Sequence, residues 1–526
     1  MIQSKNRKRK LVTHSFNFTL ILSLLTNISY ADVVDDFLIT KMKENNIPGL
    51  QVAIVKNKKV VKTASYGLAN LQDKIKVNDE TVFNLASITK AFTSVAVMQL
   101  VEQNVVDLNA TISTYISDLP KPWQQITIYQ ILSHTSGLPD FMNEHFRMID
   151  STGEQQSWGA LKQRKMLFKP GTAFHYNQTN YLLAGKVIQK ISGKSYSSLI
   201  KKFQLNKIGM KRTEAAGFAH FEDVNLHQAR DYRQNEQGSL TNVLTNFPSY
   251  IRAGVGMSST ASELADWVIA LQSGLFLERS NSLATLWQEA PISSDDWAKE
   301  NPNMHPFALG WYSVNRSLNK KIVTAGGGQS ALTVYPDDDL SIVLLTNLAG
   351  ARPENLADEL AEYYLDDFGL SINSKRLKQM LEQKGYEHTL EVAKTFSTDQ
   401  KINFEAGELH HFAELLAKHN KNEQALAIFN LNNQLFSKVI INKEKLEEYV
   451  GEYQLENFSI SVSRNANALF ITATGDSTLP IFTITQNQFL LKKVDALITF
   501  VKDKSGTVNG LILNLDNQDL AGKKIK

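Results

Sequence analysis

Two short runs rich in β-branched residues, 50–55 and 59–65, flank Lys56-Asn57-Lys58, and this layout predicts a β-hairpin. Next comes a run from Ser87 to Asn104 with Ile88, Ala91, Phe92, Val95, Ala96, Val97, Met98, Leu100 and Val101. Its apolar positions lie nearly all round a helix, so the helix should be buried on most sides. A largely helical stretch extends to about residue 310. Strand patterns return at 321–325, 330–335 and 340–347, the last two joined by Pro336-Asp337-Asp338-Asp339. Strands at both ends with helices between them imply an α+β arrangement, one antiparallel sheet flanked by helices and interrupted by a large helical insertion over residues 32–370.

Beyond Leu370 the pattern changes twice. Residues 371–440 are polar and helical. Leu409, Phe412, Ala413 and Leu416 share one face, and Asn420-Lys421-Asn422 separates them from Ala425, Ile428 and Phe429. One helix-turn-helix connector is expected, since helical arrays need three or more copies. Residues 441–526 hold seven short β-rich runs with Gly, Asn and Asp between them, the pattern of a small all-β barrel or sandwich. That region has no clustered His, Cys or carboxylates, so no chemistry is assigned to it.

The first 31 residues stand apart. Lys5, Arg7, Lys8, Arg9 and Lys10 precede an apolar run from Phe16 to Ile28, and Ser29-Tyr30-Ala31 supplies small outer residues for cleavage. This is the layout of a secretory signal peptide. The run is too short to span a bilayer, so no stable membrane span is expected after cleavage. Five of the 56 basic residues and none of the 53 acidic ones lie before Asp32, which leaves 51 against 53. The basicity belongs to the leader, and no basic block suggests nucleic acid as a partner. With no cysteine there is no disulfide and no thiol nucleophile. Export without disulfides suits a bacterial periplasm or exterior.

Chemistry enters at Ser87-Ile88-Thr89-Lys90. A serine and a lysine three apart share a helix face, and a lysine kept neutral by burial can take the serine proton. The spacing alone is weak, since about two chance copies are expected at ordinary residue frequencies. Ser198/Lys201 and Ser317/Lys320 are such copies. Around Ser87, however, several segments fall in order: Phe83-Asn84-Leu85-Ala86-Ser87-Ile88-Thr89-Lys90, Leu132-Ser133-His134-Thr135-Ser136-Gly137-Leu138, Pro170-Gly171-Thr172-Ala173-Phe174-His175-Tyr176, Ser259-Thr260-Ala261-Ser262-Glu263-Leu264-Ala265, and Leu340-Ser341-Ile342-Val343-Leu344-Leu345-Thr346-Asn347.

With these segments the chain resembles the serine β-lactamase and penicillin-binding superfamily, in its class C, DD-peptidase and carboxylesterase branch. The C-terminal β-region resembles, more weakly, an accessory domain appended to such hydrolases. The resemblance implies that Ser87 is acylated, that Lys90 and Tyr176 move its proton, and that the Ser87 and Gly327 amides hold the oxyanion beside Gly326. It implies no cofactor and a small-molecule or peptide acyl donor as partner. Two motifs depart from the family pattern. Gln178 takes the position of an asparagine, with Asn177 as the other available amide, and Thr324 aligns with a cation that normally holds a substrate carboxylate. A charge-assisted hydrogen bond contributes about 1.5–3 kcal/mol, so penicillin recognition should be weak. Ester, amide or D-amino-acid peptide hydrolysis is therefore expected ahead of class C-like β-lactamase activity. The alternative is a non-catalytic penicillin-binding or regulatory protein that kept the fold. His134, His175, His220, His227 and His410-His411 show no metal-binding spacing, and no metal site is expected. Along an extended segment His175 and Tyr176 should face opposite ways.

Overall fold

The computed structural model describes residues 30–526 apart from 143–152, 219–223, 244–247, 280, 294–306, 316–319, 400–403, 438–440, 457, 466–467, 474–477, 492–495 and 516–517. The leader assigned to residues 1–31, His220 and Ser317 thus fall wholly or largely outside the described residues. No helix among the described residues is long and apolar enough to cross a membrane.

After helix α1 (Tyr30–Glu44), the expected hairpin forms from β1 (Gly49–Lys56) and β2 (Lys59–Asn70). Asn57 and Lys58 both have positive φ, the geometry that matches a two-residue turn to strand twist. A short edge strand, β3 (Ile75–Lys76), follows, and the chain leaves the sheet. It returns as β4 (Tyr312–Asn315), β5 (Lys321–Gly327), β6 (Ser330–Tyr335) and β7 (Leu340–Thr346). The sheet order is β3-β2-β1-β7-β6-β5-β4 with antiparallel neighbours throughout. First and last segments therefore meet at its centre, where Leu50 lies opposite Thr346 and Lys56 opposite Leu340.

Side-chain alternation gives the sheet two buried faces. On one, Ala53, Val55, Val323, Ala325, Leu332, Val343 and Leu345 join the core of the helical insertion. On the other, Leu50, Val52, Ile54, Ile342 and Leu344 pack with Leu356 and Leu360 of a helix spanning Pro353–Ala361 and with Val34 and Leu38 of α1. The central helix of the insertion, α2 (Thr89–Glu102), is enclosed as its all-round apolar pattern requires. Phe92 on α2 stacks on Trp267 with ring centroids 4.2 Å apart. Asn104, at φ +58°, turns the chain away just past its end.

The connector is larger than the single expected unit. Besides Ala406–Lys418 and Asn422–Phe436, helices Ile372–Lys384 and Thr389–Asp399 contribute Leu377, Leu381, Val392 and Phe396 to the same core. Phe470 of the C-terminal region packs into it too. That region closes into an eight-stranded barrel from Gly451–Gln454 through Gln518–Lys524. Its last strand, which carries few apolar residues, is the one the sequence pattern leaves out.

Candidate active site

Ser87 sits in a 3-10 turn, Ala86–Ile88, that leads directly into α2. Ala86 immediately before it has φ +44°, a left-handed conformation that costs a non-glycine residue energy. The Asn84 side chain holds that turn by accepting the Ala86 N–H at 2.9 Å. The serine is thus presented on a constrained corner, and Lys90 lies one helical turn further on.

The Lys90 ammonium is buried, with the residue only 1% exposed, and has three neighbours within hydrogen-bond reach. They are Ser87 Oγ at 3.3 Å, Gln178 Oε1 at 2.9 Å and the Gly254 carbonyl at 2.9 Å. Burial lowers its pKa from 10.5 to about 7, and the carboxylate of Asp140 opposes that fall. The neutral amine keeps two N–H groups and one lone pair. Gln178 Oε1 and the Gly254 carbonyl can only accept, so they take the two protons and the lone pair is left facing Ser87. The missing side chain at Gly254 leaves room for the Gln178 amide that holds Lys90. A Cβ would lie 2.9 Å from Gln178 Oε1 and 3.2 Å from Tyr181 Cβ.

Tyr176 Oη donates to Ser87 Oγ at 2.7 Å. Its ring is boxed by His134, Phe307 and Tyr312, with centroids 4.3, 5.8 and 6.3 Å away. Burial drives the phenol well above its ordinary pKa, with the nearby Tyr312 adding to the rise. A phenol shifted in this direction keeps its proton near neutrality. At rest the tyrosine is a donor, and the lysine is the group poised to accept. His175, the preceding residue, is exposed, as the alternation along an extended segment requires.

His134 is fully buried, and its Nδ1 is approached by Asn180 Nδ2 at 2.9 Å and by the Asn177 N–H at 3.3 Å. Two donors at Nδ1 place the proton on Nε2, which has no hydrogen-bond partner among the described residues. Burial first, and Lys90 and His175 next, keep the ring pKa well below its ordinary value. His134 is a neutral wall for Tyr176, a part the sequence hid. Asp140 was also missed. It accepts the Gln178 N–H at 3.2 Å, and burial raises its pKa.

The other expected residues separate. Gln178, first residue of the helix Gln178–Ser192, is in the site through its contact with Lys90. Asn177 is not. Its side chain caps that helix by accepting the Asn180 N–H at 3.0 Å and donating to the Leu138 carbonyl at 3.1 Å. Thr324 donates its hydroxyl to Thr333 Oγ1 at 3.2 Å and lies directly opposite Tyr312, whose ring stacks on that of Tyr176. Like Ala325 beside it, it is uncharged. Gly326 and Gly327 end β5 opposite Ala331 and Ser330. Gly326, at φ +92°, touches the serine turn so closely that a Cβ would lie 2.5 Å from Ile88 Cγ1. Gly328 N–H is held by Glu354 Oε2 at 3.0 Å.

The two chance pairs look different. Ser198 is exposed and bonded to Ser195, while Lys320 pairs with Asp338. A cavity of about 860 Å³ does exist elsewhere, between the connector and the barrel, lined by His410, Glu414, Lys418 and Phe482. Its described lining residues hold no nucleophile beside a base, so size does not locate the chemistry. Among the described residues, no group of three His, Cys, Asp or Glu could hold a metal ion.

A family model described as Beta-lactamase matches residues 34–365, well over half of the chain. The chain belongs to the β-lactamase family. A second model, for a domain of unknown function (DUF3471), matches residues 436–524, which hold the barrel. Among curated relatives, Protein flp of Staphylococcus aureus (strain MW2) is 27% identical over 350 residues, 64% of this chain and 66% of the relative. Of the solved structures, the octameric penicillin-binding protein homologue from Pyrococcus abyssi superposes with a TM-score of 0.56 at 20% identity, covering 94% of this chain and all of the other. EstCE1, a hydrolase with promiscuous acyltransferase activity, covers 61% of this chain with a TM-score of 0.51 at 19% identity. The β-lactamase-family fold is thus the mixed α+β domain with its antiparallel sheet, here followed by an eight-stranded barrel.

Proposed function

We propose that this β-lactamase-family chain is an exported serine hydrolase that works through an acyl-serine at Ser87. The observation that carries the reading is the buried Lys90 amine, whose two fixed acceptors direct its lone pair at Ser87 Oγ. In the first step Lys90 takes the Ser87 proton as Oγ attacks the substrate carbonyl, and the Ser87 and Gly327 amides receive the developing oxyanion. Tyr176, a donor to the same oxygen, passes a proton to the leaving group and is recharged from Lys90. Water activated by the same pair releases the acyl group and restores the enzyme.

The substrates are esters, amides or D-amino-acid peptides. With Thr324 and Ala325 both uncharged, the end of β5 offers no cation to a penicillin carboxylate, which supports low β-lactamase activity. The test is a fluorophosphonate probe with intact-mass readout, beside turnover of a chromogenic short-chain ester. Wild type should gain one adduct and turn the ester over, and Ser87→Ala should do neither. Equal labelling of the two proteins would defeat the proposal, as would faster hydrolysis of a chromogenic cephalosporin than of any ester.

A further inference from the structure

Beneath the serine turn lies a carboxylate that the mechanism leaves unused. Asp231 starts a short strand, Asp231–Gln234, that pairs with Leu348–Ala349 just beyond β7. Its Oδ1 accepts Gln329 Nε2 at 2.5 Å, and its Oδ2 accepts Asn84 Nδ2 at 3.4 Å. Neither partner is a cation. Burial pushes the carboxyl up to about 6, against the pull of these two donors. A carboxylate so placed and paired, among the described residues, only with amides is an expensive choice for mere packing, where an amide of the same shape would serve.

The two partners belong to the two walls of the site. Asn84 accepts the Ala86 N–H through Oδ1, and so fixes the left-handed corner that aims Ser87. Gln329 stands in the tight turn between Gly327 and Ser330, the hairpin that carries the glycines of β5. Ser330 Oγ also donates to the Asn84 carbonyl at 2.8 Å, so the walls touch directly as well. We infer that Asp231 is a positioning residue: by accepting from Asn84 and Gln329 at once, it locks the orientation of both amides and sets the Ser87 corner against the Gly326–Gly327 strand. A carboxylate suits the task because it can only accept. The Asn84 amide then has one allowed orientation, with its oxygen left for Ala86. The inference rests on the proposed acyl-serine chemistry for its kinetic consequence, but not for its structural one.

The experiment exchanges the partners. In Asp231→Asn, the new amide has one acceptor oxygen for two donors, so either the Asn84 N–H loses its acceptor or the Gln329 amide must turn over, and the joint hold on both amides is lost. In the double variant Asp231→Asn/Asn84→Asp, the amide at 231 donates to the carboxylate at 84, which still accepts from Ala86. Two readouts are used, ester kinetics and deuterium uptake by the peptide covering residues 83–90. Asp231→Asn should lower kcat by about 10–100-fold with little change in KM, the scale expected when reacting groups are misplaced by an ångström. It should also speed uptake over 83–90, and the double variant should bring both readouts back most of the way. Unchanged uptake in Asp231→Asn, or a double variant no better than the single one, overturns the assignment. If Asp231→Asn does not fold, Gln329→Ala cuts only the hairpin arm, and unaltered kcat and uptake over 326–331 would count against the lock. If wild type hydrolyses nothing, the proposed function fails, while the exchange data still decide the role of Asp231.

Discussion

Two aromatic clusters in this chain are packed alike and built for different ends. In the barrel, Tyr449 and Tyr453 pack against Phe500 with centroids 4.5 and 5.7 Å away. Their hydroxyls go to backbone carbonyls, Tyr453 to Tyr449 at 2.7 Å and Tyr449 to Gln486 at 2.5 Å. In the cleft, Tyr176 is packed just as closely by His134 and Tyr312, but its hydroxyl goes to a serine that also faces an amine. A buried polar tip that meets the backbone completes a fold. One that meets another titratable side chain creates a place where a proton can move.

The sharpest break in that comparison is Tyr176→Phe. It keeps the packing and removes the donor, so kcat/KM for a chromogenic ester should fall by about 10²–10⁴-fold with the melting temperature nearly unchanged. A smaller effect follows from pH. Burial has brought Lys90 down from 10.5 to about 7, so the amine is neutral and able to accept above that pH and charged below it. Between pH 7 and 5, kcat/KM should drop by about tenfold per unit. In Lys90→Arg, whose side chain stays charged, the rate should be low and flat over the same range. The smallest effect belongs to the barrel. Tyr453→Phe should reduce stability in urea by about 1 kcal/mol, the net value of one hydrogen bond, and leave kcat untouched. Loss of activity in that variant would mean that the two clusters are not independent.

Much of this was legible in the sequence because it depends on local pattern. The hairpin strands, α2 and the paired strands β6 and β7 follow from β-branched runs and apolar periodicity, and Ser87 with Lys90 from spacing on one helix. The rest depends on contacts between distant segments. Gly254 acts through its carbonyl and its missing Cβ, which no motif marks. Asp140 and Asp231 are single acids outside any motif, and only folding places them near Lys90 and Asn84. Asn177 and Gln178 are adjacent amides, and helix capping decided which one turned inward. The first two connector helices are so polar that their few core residues, Leu377, Leu381, Val392 and Phe396, give little signal alone. The barrel's final strand is similar, with Leu520 and Ala521 as its apolar residues among seven.

The three neighbours of the Lys90 nitrogen come from segments centred on residues 87, 178 and 254, which meet only when the insertion is fully packed on the sheet. A chain that has formed its helices but not assembled them has an ordinary lysine, protonated at neutral pH, beside an ordinary serine. Under the proposed acyl-serine chemistry, reactivity toward an active-site probe is then a measure of completed assembly. In a sample of refolded or heat-damaged protein, covalent titration of Ser87 would count native molecules directly, where circular dichroism would count helices whether or not they had found one another.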